Sequence, residues 1–160
     1  MGSFVLPIAL FSTMHLTRRG YGPLDKKIFD GARSLGDNPE LAVNLHRAEL
    51  KLQEGDSLAL LRLIESNANN PNERERFQVL DECSLLAFSE HRPRILNILE
   101  TAKSDTSELI QDQLPSFLAL ALAPGWQEVC ISYTSSSNPQ RQEAGKRALR
   151  LGETVSKKHP

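Results

Sequence analysis

Cysteine, aromatic residues and long apolar runs are all scarce in this chain, and each shortage excludes something. Two cysteines in 160 residues, Cys83 and Cys130, cannot build the disulfide framework with which small secreted domains replace a core. Each lies inside an apolar helical run, so both read as reduced core residues of a cytosolic protein. Aromatic residues make up 6% of the chain, with a single tryptophan, and none is interleaved with the basic charges as nucleic-acid binding requires. The apolar run Phe4–Phe11 is too short to span a bilayer, is interrupted by Pro7 and has no basic residue ahead of it, which speaks against a membrane span and a secretory signal. Leu6 stands where myristoylation of Gly2 would require Ser or Thr.

Catalytic groupings are missing as well. His15, His46, His91 and His159 are scattered, and no pair has the i, i+4 spacing that puts two metal ligands on one helix face. Cys83 with His91 makes a poor dyad, because a thiol in an apolar helical run is a core residue before it is a nucleophile. Gly20-Tyr21-Gly22 starts a dinucleotide pattern but has Asp25 where the third glycine belongs and no strand before it, so it reads as a turn. Gly145-Lys146-Arg147 lacks the Ser or Thr of a phosphate-binding loop. Asp81, Glu82, Glu73 and Glu75 read as solvation on polar helix faces. The expectation is a non-catalytic protein that needs no cofactor and no metal.

What the chain does have is aliphatic periodicity. With 39% apolar residues and only 9 glycines and 9 prolines, it has the composition of a folded chain of about one domain. Asn38–Asn69 reads as a helical hairpin: Asn38 caps the first helix with Pro39 at its first position, and Gly55-Asp56 makes the turn. Leu41, Leu45, Ala48 and Leu52 form one apolar stripe, answered by Leu58, Leu61, Ile64 and Ala68. Further helices are expected at Leu24–Leu35, Glu73–Ser89, Arg94–Lys103, Thr106–Ala123, Trp126–Ser135 and Gln140–Ser156, with Pro115 kinking or splitting the helix that contains it. Ala144, Ala148 and Leu151 give the last helix a thin apolar stripe. The restarts at Asn38, Asn70, Ser104 and Asn138 are 32, 34 and 34 residues apart, a period of stacked hairpins. The expected fold is all-α: a right-handed solenoid of helical hairpins over 24–160, with a C-terminal capping helix and an N-terminal arm over 1–23. An ordinary bundle with evenly spaced caps is the alternative.

Net charge is only −1 but unevenly placed. Residues 1–24 hold Arg18 and Arg19 and no acid, residues 25–137 carry 11 basic and 18 acidic groups (−7), and residues 138–160 carry 6 and 2 (+4). The basic tail suits the C-terminal end of a last helix better than a nucleic-acid site. The acid-free start is either an arm covering one end of the core or a targeting segment.

The first helices also carry a second apolar set, Val43, Leu50, Val79, Leu86 and Leu120. Such a helix is either packed on both sides or open to a partner helix in a groove; on the second reading Val43, Arg47, Leu50, Val79, Leu86 and Leu120 bind the partner.

LAVNLHRAELKLQEGDSLALL (Leu41–Leu61) with the helix before it, together with FLALALAPGWQEV (Phe117–Val129) and SSSNPQRQEAGKRAL (Ser135–Leu149), resembles the tetratricopeptide-like chaperones that guard the needle subunit of bacterial type III secretion systems. The shared features are a short helix followed by a hairpin turning on a Gly-Asp pair after an alanine-containing first helix, here Ala48 and Gly55-Asp56. The closing hairpin and last helix also resemble those of relatives in plant-associated bacteria. This chain departs from the pattern in an extra hairpin, Pro71–Lys103, a long apolar arm, and the lack of aromatics at the usual large positions. The resemblance implies a cytoplasmic chaperone or adaptor that shields the amphipathic helix of an aggregation-prone secretion component. A secreted effector or immunity-type interaction protein, with its first 24 residues as export signal, is the alternative.

Overall fold

The computed structural model describes residues 22–160, so the expected arm over 1–23 lies almost wholly outside the described residues. These form eight α-helices and no strand: α1 (Pro23–Leu35), α2 (Pro39–Gln53), α3 (Leu58–Asn67), α4 (Glu73–Leu86), α5 (Arg92–Ala102), α6 (Glu108–Leu120), α7 (Trp126–Thr134) and α8 (Pro139–Lys158).

Local chemistry sets these boundaries. Asn38 caps α2 by accepting from the Glu40 and Leu41 N–H groups at 3.0 and 3.1 Å, with Pro39 at a position whose missing donor costs nothing. Gly55, at φ +93°, turns the chain between α2 and α3, and Asp56 accepts from Leu58 N–H. Two expected restarts shift. The caps of α4 and α6 are Asn72 and Ser107, not Asn70 and Ser104. The earlier residues act one step back: Asn70 accepts from Asn72 N–H at 2.8 Å and Asp105, beside Ser104, from Ser107 N–H at 2.8 Å. Ser136 does the same for Asn138. Pro93 falls inside the first turn of α5 rather than before it, where proline is tolerated. Helix α6 ends early, with Leu122 at φ +46°.

Pro115 does not split α6, which runs through it. Proline lacks the amide hydrogen that would serve the carbonyl four residues back, at Gln111. The Tyr133 hydroxyl, from α7, donates to that carbonyl at 2.7 Å.

Every helix packs on the next, and the even-numbered helices also pack side by side, α2 on α4, α4 on α6 and α6 on α8. One core runs from Leu41, Leu45 and Ala48 through Leu60, Ile64, Leu80, Leu86, Ile95 and Leu99 to Ile110, Phe117 and Leu118. The Phe77 and Phe117 rings meet edge to face at 5.6 Å. Across one end of the even helices the side chains make a polar strip. Gln78 exchanges two hydrogen bonds with the Asn38 backbone, and Asn38 donates to Glu75. Arg76 forks onto Asp105 at 2.8 and 3.0 Å while Ser107 donates to Glu73. Arg141 holds Asp112 and Glu108. Burial alone would raise the Asp105 carboxyl, but its bonds from Arg76 and Ser107 N–H outweigh this and hold it below the usual range.

Candidate partner-binding cleft

Three of the six residues assigned to partner binding cannot touch a partner. Val43, Val79 and Leu86 have no exposed surface: their helices are packed on both sides, so the second apolar set belongs largely to the core. Leu120 is half-buried. Arg47 pairs with Asp25 of α1 at 3.1 Å, an arrangement that, after the Gly22 N–H bond, helps to lower the Asp25 carboxyl. Leu50 is 44% exposed. Of the set, it is the apolar residue most accessible to a partner.

An open cleft of about 320 Å³ lies between α1, α2 and α4, and Leu50 is not part of its lining. Helix α2 contributes Ala42, Leu45, His46 and Glu49, one face at i, i+3, i+4 and i+7; α4 contributes Phe77, Gln78, Asp81 and Glu82, with Ile28 from α1 and Asp37 from the loop. Ile28, Ala42, Leu45 and Phe77 supply apolar surface and four carboxylates supply charge. Glu49 adjoins exposed Leu50, and Leu85, 48% exposed, follows Glu82 by one helical turn. The cleft therefore has apolar contact points near its acids.

Crowding of those acids has an electrostatic consequence. The Glu82 carboxyl is pushed up to about 7, first by burial and then by the charges of Glu49 and Asp81, with a hydrogen bond to Glu49 adding to it. Burial raises Asp81 too. Nε2 of His46 is buried without a hydrogen-bond partner. Read singly, Asp81 and Glu82 look like solvation; the one signal in the sequence was that Glu49 and Glu82 stand about one repeat apart.

A second depression, about 500 Å³ between α6 and α8, mixes Asp112 and Glu143 with Arg147. Nothing matches. No family model, curated protein or solved structure is similar to the chain.

The thiols are poor nucleophiles: burial pushes Cys83 up to about 12 and Cys130 up to about 11, so neither supplies thiolate near neutrality. Among the described residues no three of His, Cys, Asp and Glu are grouped so as to hold a metal, and no helix is long and apolar enough to cross a membrane.

Proposed function

We propose that this protein is a non-catalytic binding module, a right-handed solenoid of helical hairpins closed by α8, that holds a helix of another protein along α2 and α4. The observation that carries the reading is the open cleft, with apolar surface from Ile28, Ala42, Leu45 and Phe77, together with exposed Leu50 and Leu85, which follow its lining residues Glu49 and Glu82 on α2 and α4. A partner helix with an apolar stripe would cover both leucines, each contributing roughly 1.5–3 kcal/mol if fully buried, enough for a few such anchors to reach micromolar affinity after association costs. The packing of even helices on one another supports the solenoid reading, since each hairpin then buries its face against its neighbours. The resemblance to needle-subunit chaperones supports a cytoplasmic chaperone or adaptor of a type III secretion system, with an aggregation-prone secretion component as client.

The test is co-purification from a host that encodes such a system. Leu50→Glu with Leu85→Glu should abolish capture of the client while leaving the helical circular dichroism unchanged, because both side chains are exposed in the free protein. Undiminished capture by the double variant would refute the groove. Leu86 cannot serve in this test, since a charge at that buried position would report on folding.

A further inference from the structure

Phe88 extends the exposed face of α4. Asp81, Leu85 and Phe88 stand at i, i+4 and i+7, and the backbone stays helical through Ala87, at φ −64° and ψ −24°. A helix laid over Leu85 therefore meets Phe88 within one turn. In the free protein that ring is already covered. The imidazole of His159, which follows α8, lies on it with centroids 3.8 Å apart and planes 2° from parallel, and Phe88 still keeps 38% of its surface exposed. The Arg92 guanidinium carbon is 5.1 Å from the same ring centroid, held there by its hydrogen bonds to the Ala87, Ala121 and Leu122 carbonyls.

His159 is lightly anchored. Helix α8 packs on α6 and α7, its buried residues end at Gly152, and none of residues 153–160 is buried. The His159 N–H bonds within its own helix, to the Val155 carbonyl, so the ring stack is what ties this end of α8 to α4. We propose that Phe88 and Arg92 form an aromatic subsite at one end of the docking face, that His159 fills it in the free protein, and that an aromatic side chain of the partner helix displaces the imidazole. The inference rests on the protein-binding reading above and specifies one side chain of the partner. A phenyl ring would stack on Phe88 as the imidazole does and add a π system beside the Arg92 cation. A partner lysine or arginine would instead meet Arg92, Lys157 and Lys158 as like charges.

The whole chain can be titrated with an amphipathic Leu/Ala helical peptide ending in phenylalanine, and with a twin carrying cyclohexylalanine there, which has similar bulk and no π system. The phenylalanine peptide should bind about threefold tighter than its twin, as one aromatic contact allows. In proton NMR the His159 ring signals, shifted by the Phe88 ring current, should move towards those of an exposed histidine as that peptide is added. His159→Ala should tighten binding of the phenylalanine peptide by about threefold, because the subsite no longer has to be vacated. Phe88→Leu, with its helical circular dichroism unchanged, should abolish the discrimination. Equal binding of both peptides with unmoved His159 signals would overturn the subsite and leave the groove standing, provided Leu50→Glu weakens both. Weaker binding by His159→Ala would also overturn it, since the imidazole would then support the site rather than block it. Failure of both peptides to bind would overturn the groove and the subsite together.

Discussion

At Pro115 and Tyr133 one residue's defect meets another's spare donor. The Gln111 carbonyl has lost its helical partner to the proline ring, and the Tyr133 hydroxyl, 2.7 Å away, replaces it. Tyr133→Phe should therefore cost about 1–2 kcal/mol in urea denaturation, the penalty for leaving a half-buried acceptor unsatisfied. In a Pro115→Ala background, where an amide hydrogen returns, the cost should shrink; a double-mutant cycle with no coupling would contradict the pairing. Glu82 gives the second prediction at this scale. Its folded value of about 7 stands above the 4.5 of the free side chain, so the folded state holds the proton more tightly than the unfolded chain. The group is neutral in both states below about pH 4.5 and costs stability increasingly as pH rises to 7, with the full cost above that. Glu82→Gln should thus stabilise by about 1–2 kcal/mol at pH 8, allowing for partial exposure, and by nearly nothing at about pH 4.5. Denaturation midpoints at the two pH values decide it. Neither effect is legible in sequence, since Pro115 is visible as a helix breaker but the donor that compensates it comes from another helix.

Among the elements, α8 departs furthest from what its pattern suggests. An apolar stripe of Ala144, Ala148 and Leu151 is thin for a helix of 20 residues, and Leu151 in fact stays partly exposed while Gly145 and Gly152 are buried. The glycines permit close approach. A Cβ on Gly145 would stand 2.6 Å from the Cys130 carbonyl oxygen, and one on Gly152 would enter the Trp126 ring. Gly152→Ala should accordingly destabilise by about 1–3 kcal/mol through overpacking, against the usual helical preference for alanine. Gly31 provides the control: it lies inside α1, and an alanine methyl there would meet nothing within 4 Å, so Gly31→Ala should stabilise by about 0.5–1 kcal/mol. Thermal melts that move in the same direction for both would refute the packing account. Arg92 binds elements end to end, donating to the Ala87, Ala121 and Leu122 carbonyls at 2.7, 2.8 and 3.1 Å and lying over the Phe88 ring. Its charge suits the negative ends of α4 and α6.

Across the whole molecule, stability should grade along the chain. Among the described residues, helix α1 packs chiefly on α2, whereas α4 and α6 each touch helices on several sides. In native-state hydrogen exchange the amides of α1 should open first and those of α4 and α6 last; uniform protection would mean that the hairpins unfold as one unit. Much of this architecture was legible in the chain. Hydrophobic period and caps are local properties, so Asn38-Pro39, the Gly55 turn and the stripe of Leu41, Leu45 and Ala48 announce their helices wherever they pack. Periodicity cannot say whether a second apolar face is covered, which is why Val43, Val79 and Leu86 read as partner contacts and prove to be core. Nor can it bring residues on different helices together. By itself the sequence determined that the described residues form helices and where most of them begin and end, because those are contests among neighbours a few residues apart. Only the tertiary structure decided that Glu49, Glu82 and His46 share one cleft, since the electrostatic cost that marks the site exists only once two helices have been laid side by side.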